Sequence, residues 1–362
     1  MFRLLQRENE PTRILSGLED GRLTVWQVES DPYQRISRGD HRGCHAVAIS
    51  PDNRTLAYAG GVEGGPGTIL LPVDGTERIE LKGHTEMVTA IAFSCDGRSL
   101  ATSSFDGTVA IWDPVDGSML HRFTDHTGRV STVAFSPDSN TLASAGDGGM
   151  ILVRDLSSGS VRTLDAQAER VPSVAFHPDG RRLASAGTDG AVRLWDFTTG
   201  ELLSTFIPDG KIMRAVCFSP DGAILASGGD GNTIVLIDLA TGRHEPLRAH
   251  PAAVCALAFE PEGRVLLSGD RFGEVMLWDM RERRQIAALP KHPELMMSIA
   301  VSPDGMSIAT GSAGSDPEVR LWNLDAYRSH IAGNLEHHAR RITEALGHEP
   351  PNLEAMRDWA AQ

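Results

Sequence analysis

The sequence predicts an all-β propeller built from four-stranded blades. A fixed repeat interval, a tight turn at the same place in every copy, and strand-sized apolar runs between turns carry the prediction. Phe93, Phe135, Phe176, Phe218, Phe259 and Val301 hold equivalent places, 41 or 42 residues apart. Each precedes a turn sequence such as Ser219-Pro220-Asp221-Gly222, varied as Ser94-Cys95-Asp96-Gly97 or His177-Pro178-Asp179-Gly180. Pro presets the backbone at the second turn position, Asp bonds the local backbone, and Gly takes torsions that other residues resist. Ile49, before Ser50-Pro51-Asp52, extends the series upstream. A period of 40–45 residues is that of a propeller blade.

Within one copy the elements follow in order. Val88, Ile91 and Phe93 form a first apolar strand, and Ser99 to Ser103 a second. Asp106-Gly107 predicts a two-residue hairpin with positive φ at both central positions. Thr108 to Trp112 is a β-branched third strand and Met119 to Phe123 a fourth. Short strands with turns every eight to twelve residues mark all-β architecture, and no helical period interrupts them before residue 325.

Gly83-His84 followed by Leu100 to Asp113, and again Leu183 to Asp196 and Ile308 to Trp322, resemble the signature of the WD-repeat family. The resemblance covers roughly residues 2–325 and is read as bacterial-type. Seven copies start near 45, 88, 130, 171, 213, 254 and 296; an eighth, near 2, has Ile14 to Gly21 and Leu23 to Trp26 in register with the second and third strands. Because residues 2–7 fit that copy's first strand, the expectation is a ring of eight blades over 1–325, with seven as the alternative.

The resemblance also implies a His, Ser/Thr, Asp, Trp tetrad inside each blade. Two copies have all four members: His84, Thr102, Asp106, Trp112, and His292, Thr310, Asp316, Trp322. The first copy keeps Ser16, Asp20 and Trp26. The fifth keeps Ser185, Asp189 and Trp195, with Gln167 at the His position. The seventh keeps His250, Ser268 and Trp278, with Phe272 at the Asp position. The fourth has His126 and Ser144 but Gly148 and Arg154; the sixth has only Ser227, with Ile237 for Trp. The second has lost the pattern, with Pro72 at the Trp position and a glycine-rich loop from Gly60 to Gly67. Ser, His and Asp recurring at blade period belong to a scaffold, and no phosphate-binding glycine loop follows a strand and opens a helix. The expectation is no enzyme, no catalytic residue, no metal and no cofactor.

Asp+Glu 48 against Lys+Arg 34 gives a net charge of −14, which disfavours nucleic acid and anionic membrane as partners. The 4 Cys form no Cys-x-x-Cys pair, and Cys217 and Cys255 read as small buried apolar residues of first strands in a reducing, cytoplasmic setting. No run of 18 apolar residues occurs, and Met1 to Arg7 is too short and charged for a signal peptide. The segment 326–362 breaks the pattern and reads as a tail of two short helices, one carrying Leu335, Ala339, Ile342 and Leu346, the other Leu353, Met356 and Trp359. Its His330, His337, His338 and His348 lack metal-ligand spacing.

What the resemblance implies is a monomeric, non-catalytic scaffold binding proteins or peptides, in signalling; the alternatives are a propeller domain of a larger, for example kinase-linked, protein, or a loop-based enzyme. On the family's register Arg129, Arg170, Arg214 and Arg271 fall on one face, with Met87, Phe105, Leu295 and Met297 on its other side. That combination suits an acidic or phosphorylated peptide with apolar anchors.

Overall fold

The computed structural model describes residues 43–62, 65–72, 77–248, 250–314 and 317–324, together with the strands Arg3–Leu5, Arg13–Gly17, Leu23–Gln27 and Tyr33–Arg38. The expected helical tail at 326–362 lies outside the described residues, as does Asp316.

Seven antiparallel four-stranded sheets follow one another along the chain. Blade 1 comprises Val47–Ile49, Thr55–Val62, Gly65–Pro72 and Ile79–Lys82. The first strands of blades 2 to 6 are Val88–Phe93, Val130–Phe135, Ser173–Phe176, Met213–Phe218 and Val254–Phe259. Blade 7 takes Leu295–Val301, Ser307–Ala313 and Glu318–Asn323 from the end of the repeat region. Its fourth strand is Tyr33–Arg38, paired antiparallel with Glu318–Asn323 so that Tyr33 stands opposite Trp322.

Blades are held to their neighbours by apolar clusters, one per junction. Ala101, Val109 and Ile111 of blade 2, for example, meet Val130, Val133 and Phe135 of blade 3. The junction that closes the circle joins Ala309 and Val319 of blade 7 to Val47, Leu56 and Tyr58 of blade 1. There Ser298 Oγ also accepts the Val47 N–H at 3.1 Å. Small residues at the second strands, such as Ala57, Ala143 and Ala226, all fully buried, let adjacent sheets approach.

The ring therefore has seven blades, not eight. The first copy forms a separate sheet of three strands, Arg3–Leu5, Arg13–Gly17 and Leu23–Gln27. The strand that would complete it completes blade 7 instead. Without that strand, the edge of Glu318–Asn323 would leave backbone donors and one face of Trp322 uncovered. Tyr33 packs on the indole with ring centroids 4.5 Å apart, Arg320 lies 4.3 Å from the Tyr33 ring, and Arg35 reaches the buried Glu318 at 3.2 Å.

Two local expectations are also corrected. Asp106-Gly107 is no two-residue hairpin: Phe105 to Thr108 intervene between the strands, and of the central pair only Gly107 takes positive φ, at 80°. Asp106 keeps a negative φ because its carboxylate is turned inward on His84. Residues 60–62 and 65–67 are not loop but ladder, with Gly60 opposite Gly67 and Val62 opposite Gly65. In that register Leu71, not Pro72, stands opposite Leu56 as Trp112 stands opposite Leu100.

Candidate functional site

The described tetrad side chains come together inside the blades; those of Ser16, Asp20 and Trp26 in the first copy lie outside the described residues. In blade 2 the Trp112 indole N–H donates to Thr102 Oγ1 at 2.8 Å, Thr102 Oγ1 lies 2.8 Å from His84 Nε2, and His84 Nδ1 lies 3.0 Å from Asp106. Since Thr102 already accepts from the indole, its own proton goes to Nε2, leaving Nδ1–H for Asp106. Burial pushes the Asp106 carboxyl up, but bonds from His84, Thr108 and the Thr85 N–H outweigh it and hold the group well below the usual carboxylate range. Thr102, Ser268 and Thr310 are buried beneath an indole, so these hydroxyls have no substrate access.

The other blades depart from the pattern in instructive ways. In blade 6, Phe272 holds the Asp position, yet the circuit is complete: His250 Nδ1 meets Asp270 at 3.1 Å, His250 Nε2 meets Ser268 at 2.6 Å, and Trp278 donates to Ser268 at 2.8 Å. The missing carboxylate enters from two residues earlier, a substitution that the sequence register concealed. In blade 4, which lacks the His, Arg193 takes its place beside Asp189 at 2.6 Å, while Trp195 still donates to Ser185. In blade 3, Arg154 replaces Trp, lies 4.0 Å from the Phe123 ring and pairs with Asp125, and His126 keeps its contact with Ser144 at 2.8 Å. In blade 7, Trp322 and His292 both bond Thr310. There burial, and then nearby Arg320, push the His292 imidazole down to about 3. Blade 5 has lost the circuit: Ile237 is fully buried and Ser227 Oγ is buried without a hydrogen-bond partner among the described residues. Removing an unsatisfied hydroxyl relieves its desolvation cost, so Ser227→Ala is expected to be neutral or to stabilise by up to ~1 kcal/mol in a thermal melt. The corresponding Ser268→Ala in blade 6 is expected to be clearly destabilising.

The tetrad side chains are buried inside the blades; the candidate binding face is one mouth of the central channel. The first strands of blades 2, 3, 5, 6 and 7 each carry a bulge, at Thr89, Ser131, Arg214, Cys255 and Met297. A bulge re-aims the extra side chain, and these residues, with His45 and Pro172, line an axial cavity of about 170 Å3. Cys255 thus faces the channel instead of an apolar core, and burial raises its thiol pKa despite Arg214 and Arg271 nearby.

Around this mouth a single backbone bond repeats from blade to blade. Phe105 N–H donates to Met87 O, Asp147 to Arg129 O, Thr188 to Arg170 O, Asp230 to Ile212 O and Arg271 to Ala253 O. It brings the residues preceding each first strand beside those of the hairpin between second and third strands, and so places Arg129, Arg170, Arg271, Met87 and Phe105 on one face; Leu295 begins blade 7 at the same level. The four arginines are not equivalent. Arg214 is clamped in two bonds by Asp230, whose carboxyl it holds low. Arg170 donates to Ser131 Oγ at 3.0 Å and lies 3.6 Å from Asp147. Arg129 and Arg271 are exposed and, among the described residues, form no ion pair. Arg129 stands 4.9 Å and Arg170 5.9 Å from the centre of the Phe105 ring. Among the described residues no group of His, Cys, Asp or Glu is arranged to hold a metal, and no helix is long and apolar enough to cross a membrane.

Comparison with known proteins agrees with this architecture. Target of rapamycin complex subunit wat1 of Schizosaccharomyces pombe is 38% identical over 103 residues, 28% of this chain and 32% of that protein. Protein LST8 homolog of Drosophila melanogaster is 36% identical over 104 residues, 27% of this chain and 33% of that one. Ribosome biogenesis protein WDR12 homolog of Drosophila sechellia is 30% identical over 124 residues, 29% of each. The chain thus spans a third or less of these relatives. All three are eukaryotic, so the bacterial-type kinship expected from the sequence has no support. Six stretches, 75–113, 117–155, 158–196, 200–238, 243–279 and 283–323, match the profile described as WD domain, G-beta repeat, and together cover more than half of the chain. With those matches in step with the blades, the chain belongs to the WD-repeat family.

Proposed function

We propose that the chain is a non-catalytic scaffold that binds an acidic or phosphorylated segment of a protein partner at the Arg129–Phe105–Arg170 side of the channel mouth, as a subunit of a signalling complex. The observation that carries this reading is the exposed Arg129 guanidinium, beside an aromatic ring and without an ion pair among the described residues, in a chain of net charge −14. A planar guanidinium takes carboxylate or phosphate bidentately, and the ring beside it offers an apolar contact. Propellers of this family are generally scaffolds, and the relative wat1 bears the name of a complex subunit. A strongly acidic chain, of net charge −14, is a poor match for nucleic acid or an anionic membrane.

The test is affinity capture from source cells with the wild-type ring and with an Arg129→Glu, Arg170→Glu double variant. These side chains are outside the blade cores, so the variant is expected to melt like the parent. Partner recovery is expected to fall about tenfold or more, the scale of one or two lost charge-assisted contacts. Phosphatase treatment of the lysate separates a phosphorylated ligand from a carboxylate one. Undiminished recovery by the folded variant would show that this face is not the site.

A further inference from the structure

The displaced carboxylate of blade 6 has a consequence on the channel-mouth face. Because Asp270 supplies the circuit from inside the blade, position 272 is released from that duty, and it carries a phenylalanine that is 58% exposed. Arg271, beside it, is exposed and without an ion pair among the described residues, and it holds the hairpin place that Phe105 holds in blade 2. Lys291, paired with Glu274 at 3.2 Å, sets its ammonium 5.9 Å from the Phe272 ring centre. An aromatic ring with a cation beside it therefore occurs twice on one face, Phe105 with Arg129 at blades 2–3 and Phe272 with Lys291 at blade 6, where Arg271 is the next residue in the chain.

The shorter way round the mouth from blade 6 to blade 2 passes blade 7, where Leu295 and Met297 are half-buried, and ends at Met87 and Phe105. Arg271 and Arg129 bracket that apolar path. We propose that Phe272 and Arg271 form a second anchoring station for the same acidic peptide segment, which runs in extended form across blades 6, 7, 1 and 2 with an apolar residue on each ring and a carboxylate or phosphate on each arginine. This rests on the reading of the Arg129–Phe105 station given above. Charge complementarity selects the occupant. Arg129 and Arg271, and Lys211 at blade 5, are exposed on this face without an ion pair among the described residues, in a chain of net charge −14 that repels a polyanion as a whole but admits a short segment with few charges. Two weak stations on one rigid ring bind a single segment far more tightly than either alone, since the second contact is intramolecular.

The experiment uses the full chain and a panel of fluorescein-labelled peptides. Each peptide carries two Leu residues flanked by Glu or phosphoserine, with the Leu spacing varied. Truncated peptides retain one Leu, and a single-stranded oligonucleotide serves as a competing polyanion. Anisotropy is expected to identify a spacing whose affinity falls at least ~10-fold in Phe272→Ala, in Arg271→Glu and in Arg129→Glu. A one-Leu peptide is expected to bind weakly, to lose that binding in Arg129→Glu and to keep it in Phe272→Ala. Because Phe272 is largely exposed, Phe272→Ala is expected to melt with the parent. If the two-Leu peptide is indifferent to both blade 6 variants yet sensitive to Arg129→Glu, the second station is refuted and the first stands. Indifference to all three, no peptide binding, or preference for the oligonucleotide would refute both.

Discussion

A chain lacking residues 1–38 is expected to lose its cooperative melt or aggregate, whereas one lacking 1–30 should melt close to the parent. The shorter truncation removes the three-stranded sheet and leaves all seven four-stranded sheets complete. The longer one removes Tyr33–Arg38, leaving Glu318–Asn323 as an open edge and Trp322, fully buried, without the ring of Tyr33. The lost ladder bonds at about 1 kcal/mol each, together with partial exposure of a large aromatic, amount to about 5 kcal/mol or more, comparable to a whole domain's stability. The readouts are circular dichroism on heating and size-exclusion chromatography. Equal melting of the two truncations would refute closure by this strand.

Replacing Asp270 by Ala is expected to cost about 3 kcal/mol, the scale of breaking a fully buried polar pair. Asp270 has no exposure; it meets His250 and accepts the N–H groups of Phe272 and Glu274. Its removal leaves those donors unpaired in the interior, which costs more than the bonds themselves contribute. Blade 2 supplies the control, because Ser104 and Asp106 there occupy the places of Asp270 and Phe272. Asp270→Ser should therefore destabilise by a similar amount, and Asp270→Ser with Phe272→Asp should recover most of the loss by restoring the blade 2 arrangement. Chemical denaturation of the four proteins forms a double-mutant cycle. Additive losses would show that the two positions do not share one carboxylate role.

The blades were legible in the sequence because each is a local unit. Its strands, turns and apolar alternation are written within about 42 residues, and the period repeats. The blade count was not legible, because it depends on which of two edges Tyr33–Arg38 chooses, and its partner Glu318–Asn323 lies at the far end of the repeats. Local register favoured its own copy; closure of the ring favoured the other. Asp270 was missed for a related reason: matching by position finds a residue in a column, whereas His250 needs only an oxygen within reach, and a side chain two residues earlier supplies it. The register alone put these arginines near one another, but not which of them are paired, since Asp230 is two-pronged on Arg214 only in three dimensions.

Closure by an N-terminal strand also sets a timetable for synthesis. Tyr33 leaves the ribosome about 290 residues before its partner Trp322, so at ~5–20 residues per second the strand waits on the order of 15–60 s for the edge it will cover. Blades 1 to 6 draw all their strands from consecutive sequence and complete as they emerge, while blade 7 can be finished only when nearly the whole ring has been made. From the synthesis of Tyr33–Arg38 until that of Glu318–Asn323 the nascent chain therefore carries an unmatched strand. A chain stalled before Glu318 keeps both that strand and the open blade exposed, the two features that separate an unfinished ring from a finished one.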